Sequence, residues 1–428
     1  MSILEAQLPN NWTWQQVSDL YRITKKPRDT HFNEHEVIPF VPMELVPTNG
    51  KEHVRFEMRE PAQITSGTYF EMGDILLSKI TPSFENGKQG LANSIPATFG
   101  VASTEVIPLQ RITSEVNSRL LFYYLLHPEV RNSIAGKMEG STGRQRVPER
   151  VVLEYPLPNP PREEQDKIVA VLWKVQRAIE VEEKLTATAR ELKLAAMRQL
   201  FTRGLRGETQ QETEIGPMPE SWNPRTIFEL CEIWSGGTPR KSIAEYWSGN
   251  VPWVSGKDLK SPSLDDAIDH ISVAGVESAC RLAPQGAVLL LVRGMGLAKD
   301  LPVAVINRPM TFNQDVKALV PRGEYSGQFL RSAIYAGKER LLSRIVPSAH
   351  GTMTLNLDDV ENFKVACPSD PNEATEIVAI FDALDRKISL HERKRLTLKE
   401  LFKTLLHKLM TGEIRVADLD IDVSEVTQ

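Results

Sequence analysis

The sequence is short of cysteine and lacks the motifs that build a catalytic or metal centre. It has three cysteines in 428 residues, Cys231, Cys280 and Cys367, with no Cys-x-x-Cys pair. Their number and spacing fit neither a disulfide framework nor a zinc site, and point to a reducing cytoplasm. The eight histidines include no His-Glu-x-x-His or other ligand spacing. No Gly-x-x-x-x-Gly-Lys-Ser/Thr loop is present, which leaves no P-loop nucleotide site. Gly294-Met295-Gly296 lacks the third glycine of a dinucleotide fingerprint, and Ser235-Gly236-Gly237 is not a nucleophile elbow. No stretch of about 18 apolar residues spans a membrane, and Met1-Ser2-Ile3-Leu4-Glu5 is not the start of a signal peptide. The net charge of −5 argues against coating by a polyanion over the whole surface, while leaving room for a local basic channel.

What is present is a repeat. Glu163–Thr202 and Asn372–Thr411 align without a gap at an offset of 209: Ile168-Val169-Ala170 on Ile377-Val378-Ala379, Arg177 on Arg386, Glu191-Leu192 on Glu400-Leu401. Apolar residues recur at Ile168, Leu172, Val175, Ile179, Leu185, Ala189, Leu192 and Ala196, and at Ile377, Ile380, Leu384, Ile388, Leu398, Leu401, Leu405 and Leu409. Spacings of three and four mark one face of a helix, and neither stretch holds an internal Gly or Pro. Each predicts one long amphipathic helix of about 60 Å, and the narrow stripe predicts that the two lie antiparallel and bury each other's apolar face.

The preceding blocks repeat as well. Pro219-x-x-Trp222 answers Pro9-x-x-Trp12, Val251-Pro252-Trp253-Val254 answers Ile38-Pro39-Phe40-Val41, and Gly286-Ala287-Val288-Leu289-Leu290 answers Gly73-Asp74-Ile75-Leu76-Leu77. The loops between these anchors differ, notably 81–90 against 294–301. The pattern predicts an α+β protein with two similar globular domains separated by an antiparallel pair of long helices, related by a pseudo-two-fold axis. The expected boundaries are 1–160 for the first domain, 161–207 for the first helix, 208–371 for an acidic linker and the second domain, 372–416 for the second helix and 417–428 for a tail. Strands are expected at 37–41, 73–80 and 101–109, a short helix at 119–126, and an end to regular structure at 156–161.

Polar, basic loops suit phosphate oxygens and base edges. In the first domain the candidates are Lys25, Lys26 and Arg28; Lys79, Thr81, Ser83, Asn86 and Lys88; and Ser141, Thr142, Arg144, Gln145 and Arg146. In the second they are Thr238, Arg240 and Lys241; Arg293 and Lys299; and Ser348, His350, Thr352 and Thr354. Arg forks onto guanine and Gln onto adenine, which singles out Arg144-Gln145-Arg146. The run Arg393-Lys394-Arg395 with Lys399 and Lys403 reads as a solvated helix face. Asn159-Pro160-Pro161-Arg162 resembles the Asn-Pro-Pro-aromatic tetrad of adenine-N6 methyltransferases, but Arg stands where the stacking ring belongs. It reads as a helix N-terminal breaker.

The combination resembles the DNA-specificity subunit of type I restriction–modification enzymes over the whole length. The resemblance rests on the two blocks with their helices, the Pro160-Pro161-Arg162-Glu163-Glu164-Gln165 entry, and the exit Lys408-Leu409-Met410-Thr411-Gly412-Glu413-Ile414-Arg415-Val416. Gly237-Thr238-Pro239, Tyr246-Trp247-x-Gly249 and Pro252-Trp253-Val254 add to it. It implies a host-defence protein that catalyses nothing and carries no cofactor or metal. Each target-recognition domain would read half of a bipartite double-stranded DNA site, and the helices would set the spacer. Methyltransferase subunits and ATP-dependent restriction (translocase–nuclease) subunits would be its partners. A helical scaffold and a self-contained adenine methyltransferase built on Asn159-Pro160-Pro161 are the alternatives. The second helix entry, Asn372-Glu373-Ala374-Thr375-Glu376, departs from the Pro-Pro-x-x-Glu-Gln form, and Thr202-Arg203-Gly204-Leu205-Arg206 departs from the second exit.

Overall fold

A computed structural model describes residues 2–141, 143–347 and 352–427. The chain divides into two compact units, 1–186 with 390–428, and 187–389. Each unit contains one globular domain and a segment of each long helix. The helices are Arg162–Arg203 and Pro371–Met410, continuous over 42 and 40 residues.

In the first unit a four-stranded antiparallel sheet has the order Tyr21–Ile23, Val106–Arg111, Ile75–Ser78, Gln89–Leu91. The Ile75–Ser78 strand is buried on both faces, so it reads as a continuous apolar run. A second sheet orders Glu57–Arg59, Ile38–Val41, Phe99–Ala102 and Thr68–Glu71. The single strand expected at 101–109 is two strands with a break at Ser103, whose N–H donates to the Val41 carbonyl. Nor do the prolines at 156–161 end regular structure: Pro156–Asn159 pairs antiparallel with Thr13–Gln16, an edge pairing that tolerates missing N–H groups. The Asn-Pro-Pro stretch is occupied by this joint. The Asn159 side chain donates to Gln15 and accepts from the Gln165 amide, which also donates to the Pro160 carbonyl.

The second unit repeats the frame. Its larger sheet runs Cys231–Ser235, Val316–Pro321, Val288–Leu291, Val303–Ile306, Ser263–Leu264, and Trp222–Thr226 pairs with Lys364–Pro368 as the first joint's counterpart. The acidic stretch at 208–220 faces solvent at Glu212, Glu214 and Glu220, but it is not an irregular linker. It folds as a hairpin, Gln210–Thr213 against Gly216–Pro219, with Met218 buried.

Helix pairing is read within each unit. In the first, Glu182 binds His391 Nδ1 at 2.6 Å and Lys394 Nζ at 2.5 Å, while Glu183 reaches Lys51, Arg395 and Lys399 at 3.0, 3.7 and 3.5 Å. In the second, Lys193 binds Asp385 at 2.5 Å. In the first unit the partner moves back from Arg415 for Glu164 to His391 for Glu182, and in the second from Asp385 for Lys193 to Glu373 for the Leu205 N–H, which makes the segments antiparallel within each unit. Lys394, Arg395 and Lys399 of the basic run are therefore ion-paired, while Arg393 and Lys394 still face solvent as expected. The apolar stripe is also less complete than its spacing promised. Ile168, Leu172 and Ile179 are buried, but Leu185, Leu192 and Leu401 are exposed.

One anchor recurs where each helix begins. Trp12 Nε1 donates to Glu164 at 3.0 Å, and Trp222 Nε1 to Glu373 at 3.1 Å. Arg415 completes the first at 2.7 Å, and the Leu205 N–H completes the second at 2.6 Å. Burial alone would raise the Glu164 carboxyl; Arg415 and Trp12 outweigh it and hold the group below the usual range. The tail belongs to the first unit, where the Val426 carbonyl accepts from Asn117 Nδ2 and Arg119 Nη1.

Candidate nucleic-acid interface

Sheet topology decides which loops meet. In the first unit the register pairs Ser78 with Val106 and Leu77 with Gln89, and the Thr24 N–H donates to the Pro108 carbonyl. The loops beginning at Thr24, Lys79 and Ser103 therefore open at one end of the sheet. The 139–147 segment joins them through a short ladder. Val147 N–H donates to Lys79 O, Thr81 N–H to Gln145 O, and Ile80 bridges Arg146, which in turn bridges Glu139. Lys25–Arg28, Lys79–Lys88 and Gly140–Arg146, dispersed in sequence, thus emerge at one edge.

The second unit repeats that ladder. Leu355 N–H donates to Val292 O, Gly294 N–H to Met353 O, and Arg293 bridges Thr354. Ser235 pairs with Lys317 and Leu291 with Val316, so the loop of Thr238, Arg240 and Lys241 opens at the same end as Arg293 and Lys299. Gly236 and Gly237 let that loop pass close to its neighbours: a Cβ would meet the Phe312 carbonyl at 2.3 Å from Gly236 and the Ala279 carbonyl at 1.9 Å from Gly237.

The candidates differ in freedom. Lys25, Lys26, Arg28, Asn86, Ser141, Arg144, Arg240, Lys241, Arg293 and Lys299 are exposed. Lys26 lies over the Phe32 ring, which stacks on Phe99. Arg146 is exposed but already engaged, its Nε and Nη2 on Glu105 at 2.8 and 2.6 Å. That fork holds the Glu105 carboxyl below its usual range. Lys88 turns inward to the Met43 carbonyl at 2.6 Å. Lys79, Thr81, Ser83 and Gln145 are half-buried, and Thr81 Oγ1 bonds Glu85. The 81–90 stretch is not open coil: Phe84 is fully buried beneath the Arg131 guanidinium. Asn86 borders a cavity of about 350 Å³ with Gln176, Lys399 and Phe402. Thr238 donates to Gln314 at 2.6 Å, and Thr352 and Thr354 are half-buried. Thr142, Ser348 and His350 lie outside the described residues.

Three things escaped the sequence. Glu105 is an acid in a basic loop set, and only its bond to Arg146 shows its part. Glu164 and Glu373 stand 209 apart, the helix-repeat offset that could have paired them, but divergent flanks hid them. Met295 was passed over as part of a glycine turn. Among the described residues no group of three or more His, Cys, Asp or Glu could hold a metal ion, and no helix is long and apolar enough to cross a membrane.

Two mixed α/β units with repeated sheets, repeated loop ladders and shared long helices define a duplicated recognition protein. Residues 9–190 and 219–400 each match the family model of the type I restriction modification DNA specificity domain. The chain belongs to that family. It is 30% identical over 230 residues to the type I restriction enzyme EcoAI specificity subunit of Escherichia coli, a match over 54% of this chain but only 36% of that one. The putative type I restriction enzyme MjaX specificity subunit of Methanocaldococcus jannaschii is 21% identical across 96% of this chain and 95% of its own length. Among solved structures, the type I restriction-modification S subunit from M. genitalium superposes with a TM-score of 0.57 at 17% identity, over 94% of this chain and 98% of that one. A chain from a type I R-M system, solved for its assembly and conformational transition, gives a TM-score of 0.59 at 19% identity over 95% of this chain and all of that one.

Proposed function

We propose that this chain is the noncatalytic, sequence-specific DNA-binding subunit of a cytoplasmic type I restriction–modification complex. Each unit reads one half of a bipartite duplex site through the loops at the open end of its sheet. The observation that carries this reading is the ladder: one backbone scaffold, made twice, presenting different side chains. A duplicated frame with divergent tips is what independent reading of two unlike half-sites requires. Phosphate contacts from Lys25, Lys26, Arg28, Arg240, Lys241 and Lys299 would position the duplex, and Arg144 and Arg293 are the free guanidiniums best placed for base edges.

The long helices serve as spacer and as docking surface for methyltransferase subunits, with restriction subunits joining that complex. In the first unit Val181, Leu185, Leu390, Leu396 and Leu401 are between 40% and 56% exposed, more apolar surface than a solvated helix pair needs. Four residues added to each helix, after Thr186 and after Ser389, lengthen it by about 6 Å, or roughly two base pairs. Mapping methylated adenines in cells that express the chain with its methyltransferase should then show unchanged half-sites and a longer spacer. An unchanged spacer defeats the ruler. Replacing residues 1–155 with another member's block should change one half-site only, and a change in both defeats independent reading.

A further inference from the structure

Met295 sits at the tip of the second unit's ladder and is 64% exposed, as much as any large hydrophobic side chain among the described residues. Its surroundings hold it there. Gly294 has a φ of 147°, a conformation closed to L side chains at low cost. Its N–H is tied to the Met353 carbonyl, and on the other side Leu297 is buried in the core. A Cβ on Gly296 would press on Leu291 and Pro302 at 3.2 and 3.3 Å. The turn is thus anchored at both ends and projects one apolar side chain beside exposed Arg293. Val346, on the strand paired with Met353–Thr354, adds a second exposed apolar group. In a basic, polar loop set these side chains offer apolar contact at a fixed place.

We infer that Met295 is a specificity-determining residue of the second unit, which reads a thymine through its 5-methyl group. The inference rests on the proposed DNA reading and names the base chemistry at one of its tips. Thymine is the base whose major-groove edge offers an apolar group, and a flexible thioether beside an arginine can fill that contact while the guanidinium takes a neighbouring acceptor.

The test uses the full chain purified with its methyltransferase and duplexes carrying the mapped site. Each thymine of the second half-site is replaced in turn by uracil, which removes only the methyl. Wild type should lose about four-fold in affinity at one position. Met295→Ala should bind the cognate duplex about ten-fold more weakly, bind a scrambled duplex as wild type does, and ignore the uracil; Met295→Leu should retain affinity. Equal binding by Met295→Ala and wild type overturns the inference, as does equal loss on cognate and scrambled DNA. Weaker cognate binding with no uracil-sensitive thymine overturns the thymine assignment. Failure of wild type to prefer its site over the scrambled duplex breaks the proposed function instead.

Discussion

The two units make the same ladder and dress it differently. Where the first has Ile80 opposite Arg146, the second has Arg293 opposite Thr354; the guanidinium has changed strands. The first unit's tip carries Pro82 and an arginine already forked onto Glu105, and the second carries Met295 and an arginine whose rung partner is Thr354 and whose backbone N–H donates to the Asp315 carbonyl. Backbone hydrogen bonds fix the position of a rung whatever its side chains, so specificity can change without rebuilding the sheet. The comparison teaches that the duplicated part is the holder.

The sharpest way to break the comparison is at the shared anchors. Glu164→Ala should destabilise the first unit by about 2–3 kcal/mol, because it strands Trp12 Nε1 and the Arg415 guanidinium. Glu373→Ala should act on the second unit by a similar amount through Trp222 and the Leu205 N–H. Hydrogen exchange followed unit by unit checks both, and protection lost in the wrong unit would show that the anchors are not local. Next come the tips. Arg144→Ala should weaken discrimination by roughly 1–3 kcal/mol at one base of the first half-site, and Arg293→Ala at one base of the second. Binding to single-base variants of the site would separate them; an effect on the same half-site from both would contradict the division.

A smaller contrast lies under the sheet. Asp74 is fully buried, one of its oxygens has no hydrogen-bond partner, and burial raises its carboxyl to about 6. The second unit has Ala287 at that position. A carboxyl whose folded pKa lies above its unfolded value binds its proton better when folded, so its contribution is present below about pH 4 and lost as pH rises through 6. Asp74→Asn should therefore stabilise the chain by about 1–2 kcal/mol at pH 7 and by little at pH 4, as denaturant midpoints at the two pH values would show.

The least effect is expected at His127, which caps the helix Pro128–Ala135 and shares a 3.1 Å contact with His407; the matching cap in the second unit is Gly337. Burial, then His407, lowers His127 to about 4. Glu129, Glu400, Lys403, Lys408 and Glu413 also surround the pair. Here the unfolded state binds the proton better, so stability is full above about pH 6.5 and falls toward pH 4. His127→Asn should flatten that acid limb by about 1 kcal/mol, allowing for partial solvent screening; an unchanged limb would place the acid sensitivity elsewhere.

The frame was legible in the sequence because repetition doubles every weak signal: Trp12 with Trp222, and Gly73 with Gly286, each vouch for the other. Helix length was legible from spacing, but helix burial was not. Spacing at 185, 192 and 401 reports only that a side chain lies on a face, and what covers that face is tertiary. The loops were harder still. Lys88 and Arg146 read as free cations, yet a carbonyl from residue 43 and a carboxylate from residue 105 engage them, and nothing local announces such partners. Pro156–Asn159 looked like a breaker because proline lacks a donor, but an edge pairing with distant Thr13–Gln16 does not need every donor.

The Glu182–His391 contact has a historical consequence. The two residues are 209 apart, the offset of the helix repeat, so they descend from one position in the copied unit. Before the copies diverged, that position met its own duplicate, so two identical side chains faced each other. The attractive pair exists only because one copy changed. At this contact the duplication has become a division of labour that neither half can restore with a second copy of itself.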